Sequence, residues 1–185
     1  MAEVPPLETP RLILRPVRLD DAPAIQRIFP RWEIVRHLDA GIPWPYPDDG
    51  AETYLRGHLL PAIEWGDAWS WAILPKGDAS ARLIGCIDLS LLDSAHRGFW
   101  LDPAWHGRGL MSEAAEAVTD YGFGPLGQPV MRIHKAIANE VSRRISLRQG
   151  MRCIATMEKD YVGGRLPSEL WEITARKWRA RPRRL

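Results

Sequence analysis

The apolar positions of the chain change period several times, and each change marks an element. Leu12, Leu14 and the Pro16-Val17 pair alternate with polar residues and predict a first strand, after a loose start over residues 1–8. Asp20 or Asp21 can cap a helix from Ala22, with Pro23 tolerated in its first turn and Ile25, Ile28 and Phe29 as its apolar stripe. Pro30 interrupts it, and residues 31–38 resume as a short helical piece. Pro43, Pro45 and Pro47 make residues 42–49 a rigid loop that carries Trp44 and Tyr46. Asp48 or Asp49 then starts a helix with Tyr54, Leu55, His58, Leu59 and Ile63 at helical spacing. Trp69, Trp71 and Ile73 alternate as a strand that ends in a turn over residues 75–78. Residues 83–91 are almost continuously apolar, which predicts a strand buried on both faces, with Gly85 and Asp88 as the exceptions. Asp93-Ser94 turns into a further strand through Phe99, Trp100 and Leu101.

That strand stops at Asp102-Pro103 and gives way to the turn His106-Gly107-Arg108-Gly109. A helical period follows at once, with Leu110, Ala114, Ala117, Val118 and Tyr121 on one face, and stops around residues 122–125. Residues 130–138 read as a strand. Asn139 stands at an N-cap before a helix to Gln149, closed by Gly150. Residues 151–157 and 170–174 are the final strands, a hairpin around Gly163-Gly164. The pattern alone predicts a mixed α/β domain with one main sheet, spanning residues 1–185, with residues 179–185 loose like the start.

Strand, glycine turn and helix together suit an anion. Glycines admit a ligand close to the backbone, and the free N–H groups of the first helical turn point at it. Arg108 adds positive charge, and a pyrophosphate is the natural guest. An ordinary strand–helix connection explains the same spacing equally well.

Composition narrows the class. With 185 residues, 45% hydrophobic and 26% charged, the chain is of ordinary globular make-up. No apolar run reaches the roughly 20 residues of a membrane span, and the start has no basic or apolar leader pattern. The two cysteines, Cys86 and Cys153, form no metal spacing and are expected as buried, inert thiols in a reducing cytoplasm. Six of the 25 basic side chains lie in the last ten residues, leaving 19 against 23 acidic ones in the body. The body is therefore not a nucleic-acid footprint, and nucleic acid is not expected as a partner. The basic tail reads as a solvated terminus, with RNA contact as the rival.

The turn resembles the acetyl-CoA-binding motif of the GNAT superfamily of N-acetyltransferases, Gln/Arg-x-x-Gly-x-Gly/Ala. His106, Gly109 and Met111 occupy its three positions, and His106 and Met111 depart from the usual residues. DPAWHGRGLMSEA is similar to the branch that includes the ribosomal-protein acetyltransferases RimJ and RimL. So are TPRLILR, IPWPYPDD, NEVSRRISLRQGM and SELWEITARKW, in the same order from Thr9 to Trp178. The resemblance implies a single GNAT-like domain. Its mostly antiparallel sheet carries helices on both faces and a V-shaped splay between two parallel strands.

The resemblance also implies acetyl-CoA as cosubstrate, with no metal. Leu101 and Pro103 would bracket the strand end that pairs with pantetheine. His106, Gly107, Arg108, Gly109, Leu110, Met111 and Ser112 would cradle the pyrophosphate. Asn139 would bond pantetheine from the second strand of the V, although a plain helix cap explains it too. Ser142, the serine of the branch's Asn-x-x-Ser, would protonate the departing thiolate, although a first-turn serine is also a plain helix starter; the tyrosine used elsewhere in the family is replaced here by Ser146.

An amine must be neutral to attack, so a base is wanted. Asp88, a carboxylate inside an apolar strand, ranks first, ahead of His96, His134 and Glu33. Trp32, Trp44 and Tyr46, among nine tryptophans and four tyrosines, are the expected acceptor contacts. The expected reaction is direct acetyl transfer to a primary amine, of a protein N-terminus or a small molecule such as an antibiotic, by a monomer or homodimer. A non-catalytic acetyl-CoA-binding module is the rival from another class.

Overall fold

In the computed structural model, residues 4–77, 82–91 and 97–182 are described. The expected turn after Pro75 is present at Lys76-Gly77, while its last residue, Asp78, and the expected turn at Asp93-Ser94 lie outside these residues. Strands β1 (Leu7–Glu8), β2 (Leu12–Pro16), β3 (Ala68–Pro75), β4 (Gly85–Ser90) and β5 (Arg97–Leu101) form one antiparallel sheet in that order. Strands β6 (Val130–Ala136), β7 (Arg152–Tyr161) and β8 (Gly164–Thr174) form a second, ordered β6-β8-β7. Among the described residues no ladder joins β5 to β6. The expected single sheet is therefore parted there, and the opening is the splay the resemblance implied.

The helices are α1 (Ala22–Ile28), α2 (Trp32–Val35), α3 (Gly50–Tyr54), α4 (Leu60–Trp65), α5 (Leu110–Phe123), α6 (Glu140–Arg148) and α7 (Ala175–Ala180). They cover both faces. Ile73, Ile87 and Leu89 point to α5, where Leu110, Ala114, Ala115 and Val118 are buried. Ala72, Leu74 and Cys86 point the other way, to Ile25, Phe29, Val35 and Leu55 of the α1–α4 side. Alternation along each strand divides the core in this way. β3, between β2 and β4, is buried on both faces through Leu74, so its aromatic alternation understates it.

The expected helix after the proline loop is broken by a π turn over Leu55–Leu59. Pro61 has no N–H for the carbonyl of Gly57, and its ring crowds that group; widening by one residue relieves both. Tyr54 consequently stays exposed while Leu55 is buried.

Two expectations about the ends are corrected. Val4 is buried and the Pro5 carbonyl accepts Trp71 Nε1 at 2.7 Å, so the start is held from Val4. Arg179 donates to the Phe123 carbonyl at 3.0 Å, and Arg181 stacks 3.3 Å over Trp178 while pairing with Glu116. Those tail cations belong to the fold. Cys86 is buried as expected, but Cys153 is exposed on edge strand β7. The final hairpin is also longer than the pattern predicts. Residues 158–169 extend both arms although mostly polar and interrupted by Pro167. The hairpin tip is tied down: Val162 N–H donates to Leu38, and Gly163 N–H to Arg36, both at 3.0 Å. No helix of the described residues is long and apolar enough to cross a membrane.

Candidate active site

A cleft of about 750 Å³ opens where the two sheets part. One wall is the end of β5 and the glycine turn. The other is the start of α6, and residues 33–38 of the α2 region form the roof. The hairpin tip holds that roof through the two backbone bonds just described.

The turn has the conformation its glycines allow. Gly107 has φ 75° and Gly109 has φ 74°, the left-handed region that other residues avoid. Gly109 is the N-cap of α5 and supplies no side chain to the first-turn N–H groups, which are left for a ligand. A Cβ on Gly107 would meet nothing within 4 Å. Leu101, Pro103, His106, Gly107, Gly109, Leu110, Met111 and Ser112 all line the cleft, as does Asn139 opposite.

Two of the expected turn residues do something else. His106 Nε2 lies 2.9 Å from the Leu101 carbonyl, so the imidazole pins the turn to the strand end. Arg108 folds back over the Trp105 ring, 4.8 Å from its centre, and bonds the Ala104 carbonyl; it does not line the cleft. The turn is braced from β2. Arg11 donates to the Arg108 carbonyl at 2.9 Å, and Thr9 and Arg11 both bond Glu113 of α5. Burial pushes the Glu113 carboxyl up, but these bonds outweigh it and hold it below its ordinary value.

The cleft's positive charge comes from residues the motif reading passed over. Arg36 stands in the roof, and Arg144 and Arg148 on α6; His37, beside Arg36 in the roof, is not part of that charge. Burial, then Arg36, lowers the His37 pKa. Val141, Arg144, Ile145 and Arg148 share one helical face, a spacing that could have been read in the sequence.

On α6, Asn139 Oδ1 accepts the Ser142 N–H at 3.2 Å, the cap that pattern predicts. Ser142 is buried and lines the cleft. Beneath it lies Lys135 of β6, which the sequence reading also missed. Its Nζ donates to Ser142 O at 3.1 Å, to Ser142 Oγ at 3.3 Å and to Ser146 Oγ. A lysine on the face of Met131 and Ile133 breaks an otherwise apolar alternation, and that was the available signal.

Asp88 does not line this cleft. It sits on β4 opposite Gly98 of β5, two residues before Trp100 on the same face. A Cβ on Gly98 would fall 2.8 Å from Asp88 Oδ2, so the glycine makes room for the carboxylate. Burial raises its pKa to about 6, against a hydrogen bond from the Gly98 backbone.

Of the other candidates, Glu33 lines the cleft and His96 lies outside the described residues. His134 is half-buried, with its pKa lowered by burial and then Lys159. Trp32 and Trp44 pair at 5.6 Å and are exposed at 45% and 42%. Tyr46 instead packs edge-on to Phe29, itself edge-on to Trp100, and its ring fills the space over Gly50.

Residues 11–152 match the family model of the acetyltransferase (GNAT) domain. The chain belongs to the GNAT acetyltransferase family. A relative, the uncharacterised N-acetyltransferase YoaA of Bacillus subtilis, is 30% identical over 155 residues, covering 79% of this chain and 82% of that one. Solved structures share the fold. The ribosomal-protein-S5-alanine acetyltransferase of Vibrio fischeri superposes with a TM-score of 0.77 at 18% identity, covering 96% of this chain and 99% of its own. RimJ of Mycobacterium smegmatis, in complex with a CoA disulfide, gives 0.78 at 21%, covering 94% and 87%. RimL, the ribosomal L7/L12 α-N-protein acetyltransferase, in complex with coenzyme A, gives 0.75 at 18%, covering 94% and 97%. This GNAT domain is an acetyltransferase.

Proposed function

We propose that this GNAT enzyme moves an acetyl group from acetyl-CoA to a primary amine by direct attack. One observation carries the reading. The cleft brings the left-handed glycine turn and the Asn139–Ser142 helix start to face each other, although they are about 30 residues apart in sequence. The residues fit the donor: first-turn N–H groups for phosphate, basic side chains around them, and a groove leading to a hydroxyl.

Acetyl-CoA supplies an activated acyl group. The turn at Gly107–Ser112 holds its anionic end, and Leu101, Pro103 and Asn139 line the path of its pantetheine. Ser142 stands ready to give a proton to the leaving sulfur. Asp88, half-protonated near pH 6, is the base or ammonium partner on the α1–α4 side of the sheet. An acyl-enzyme is not needed. Neither cysteine lines the cleft, and burial pushes the Cys86 thiol well up, away from reactivity.

The acceptor enters past the exposed Trp32–Trp44 pair. The names of the structural neighbours point to protein N-terminal α-amines first, and small-molecule amines are the alternative. Thiol release from acetyl-CoA should be measured with unacetylated peptides, polyamines and aminoglycosides. Release with one acceptor class supports the reading. Absence of release with all of them, together with an unchanged melting temperature in millimolar CoA, would overturn it.

A further inference from the structure

We infer that Lys135 positions the Ser142 hydroxyl as a proton donor to the cleft and resupplies the proton it gives. The inference rests on the acetyl-CoA reading and concerns a residue outside the cleft lining.

The geometry is a matter of counting donors. A lysine ammonium has three N–H groups and no acceptor. Here all three are used, on Ser142 O, Ser142 Oγ and Ser146 Oγ, and all three acceptors belong to α6. Ser142 Oγ must therefore accept from Lys135, which turns its own O–H away from the lysine. Among the described residues no acceptor takes that proton, and Ser142 lines the cleft. A neutral lysine would do the opposite: its lone pair would capture the Ser142 proton and withdraw it from the cleft.

A purely structural lysine is a poor account of the site. Lys135 is only 3% exposed, in contact with the Trp171 ring at 5.7 Å. Methionine would fill that space without the desolvation. Its surroundings do not favour charge. Arg97 on β5 and Arg143 on α6 add positive charge nearby. Glu169, its partner on β8, is already bonded twice by Arg143 and once by Trp171 Nε1. Burial first, and then Arg97, bring the Lys135 pKa down to about 7 against the pull of Glu169. An ammonium with that acidity passes a proton to a hydroxyl far more readily than an ordinary lysine.

The step balances. As the C–S bond breaks, its electron pair stays on sulfur. The Ser142 O–H proton moves to sulfur, and a Lys135 N–H proton moves to Ser142 Oγ. Cleft water reprotonates the neutral lysine through Ser142 once CoA has left. The proton shed by the acceptor nitrogen keeps the total unchanged.

The test needs no acceptor. Coenzyme A is bound to the whole protein, and its thiol is titrated by ultraviolet thiolate absorbance. In Lys135→Met the thiolate fraction at neutral pH should fall roughly tenfold, because the Ser142 O–H is no longer turned to the sulfur to bond the thiolate. Lys135→Gln, which keeps a donor to Ser142 Oγ without charge, should fall less than Lys135→Met. In a Ser142→Ala background the same lysine changes should have little further effect. Isotope-labelled lysine in the unliganded protein should show Lys135 titrating near 7. If folded Lys135→Met and Lys135→Gln hold CoA with the wild-type titration, or if Lys135 titrates with the surface lysines, the inference is wrong. If CoA binds none of the proteins, the acetyl-CoA reading itself has failed, and this inference with it.

Discussion

Replacing Gly109 by valine separates the ligand-binding demand on the turn from its backbone demand. Gly109 has φ 74° and ψ 6°, and its Cβ would sit 3.6 Å from Arg11 Nη2, an ordinary contact. The Cβ meets no close neighbour, so the folding cost is mainly that of a side chain in the left-handed region, about 1–3 kcal/mol. For a chain of this size that is roughly 2–4 °C in melting temperature per kcal/mol. Helix α5 stays anchored by Leu110, Ala114, Ala115 and Val118, so the fold survives. Binding is another matter. Valine at this N-cap covers the first-turn N–H groups, and a lost hydrogen bond to a charged group costs about 1.5–3 kcal/mol. CoA affinity should fall by about 10- to 100-fold. Gly127→Val is the control. Its φ is 61° and its Cβ would meet nothing within 4 Å, so it carries a similar strain away from the cleft. Calorimetric titration of CoA into both variants, with melting curves, measures the two effects apart. If Gly109→Val and Gly127→Val melt alike and also bind CoA alike, the turn does not hold the phosphates.

Ser142→Ala should slow acetyl transfer in a single turnover by about 10²-fold, the low end for acid catalysis, with acetyl-CoA affinity unchanged. If Ser146→Ala is slow and Ser142→Ala is not, the donor lies one helical turn further on. Trp44→Ala should raise the acceptor KM while acetyl-CoA affinity stays put; equal losses for both would make Trp44 a loop anchor. Asp88 has its folded-state pKa raised from 3.8 to about 6, so the native state binds the extra proton between those values and stability falls as pH rises through them. Asp88→Asn should therefore melt higher than wild type above pH 6 and at the same temperature below pH 4. An unchanged difference across that range in melting curves would show that the carboxylate is not buried as described.

Periodicity by itself determined most of the element order, because a strand or helix with one buried face must repeat apolar residues at its own period. The glycine turn, the Asn139 cap and the α5 stripe were legible for that reason: each is a local requirement written in adjacent residues. The motif order likewise led to the family. The long arms of the β7–β8 hairpin were not legible. Residues 158–169 are mostly polar and contain Pro167; the two arms pair chiefly with each other, and their tip is held by the carbonyls of Arg36 and Leu38, far off in sequence. The π turn was equally hidden, since it answers Pro61 against a carbonyl four residues earlier. Chemistry divided in the same way. Ser142 could be named from its motif, but its partner Lys135 could not, because a strand residue and a helix residue seven apart meet only when β6 and α6 pack. Tertiary structure alone also set Asp88 opposite Gly98 outside the cleft, and recruited Arg36, His37, Arg144 and Arg148 into it. Local sequence determines which face of an element is apolar; which polar groups then share a desolvated space depends on how those faces are closed together.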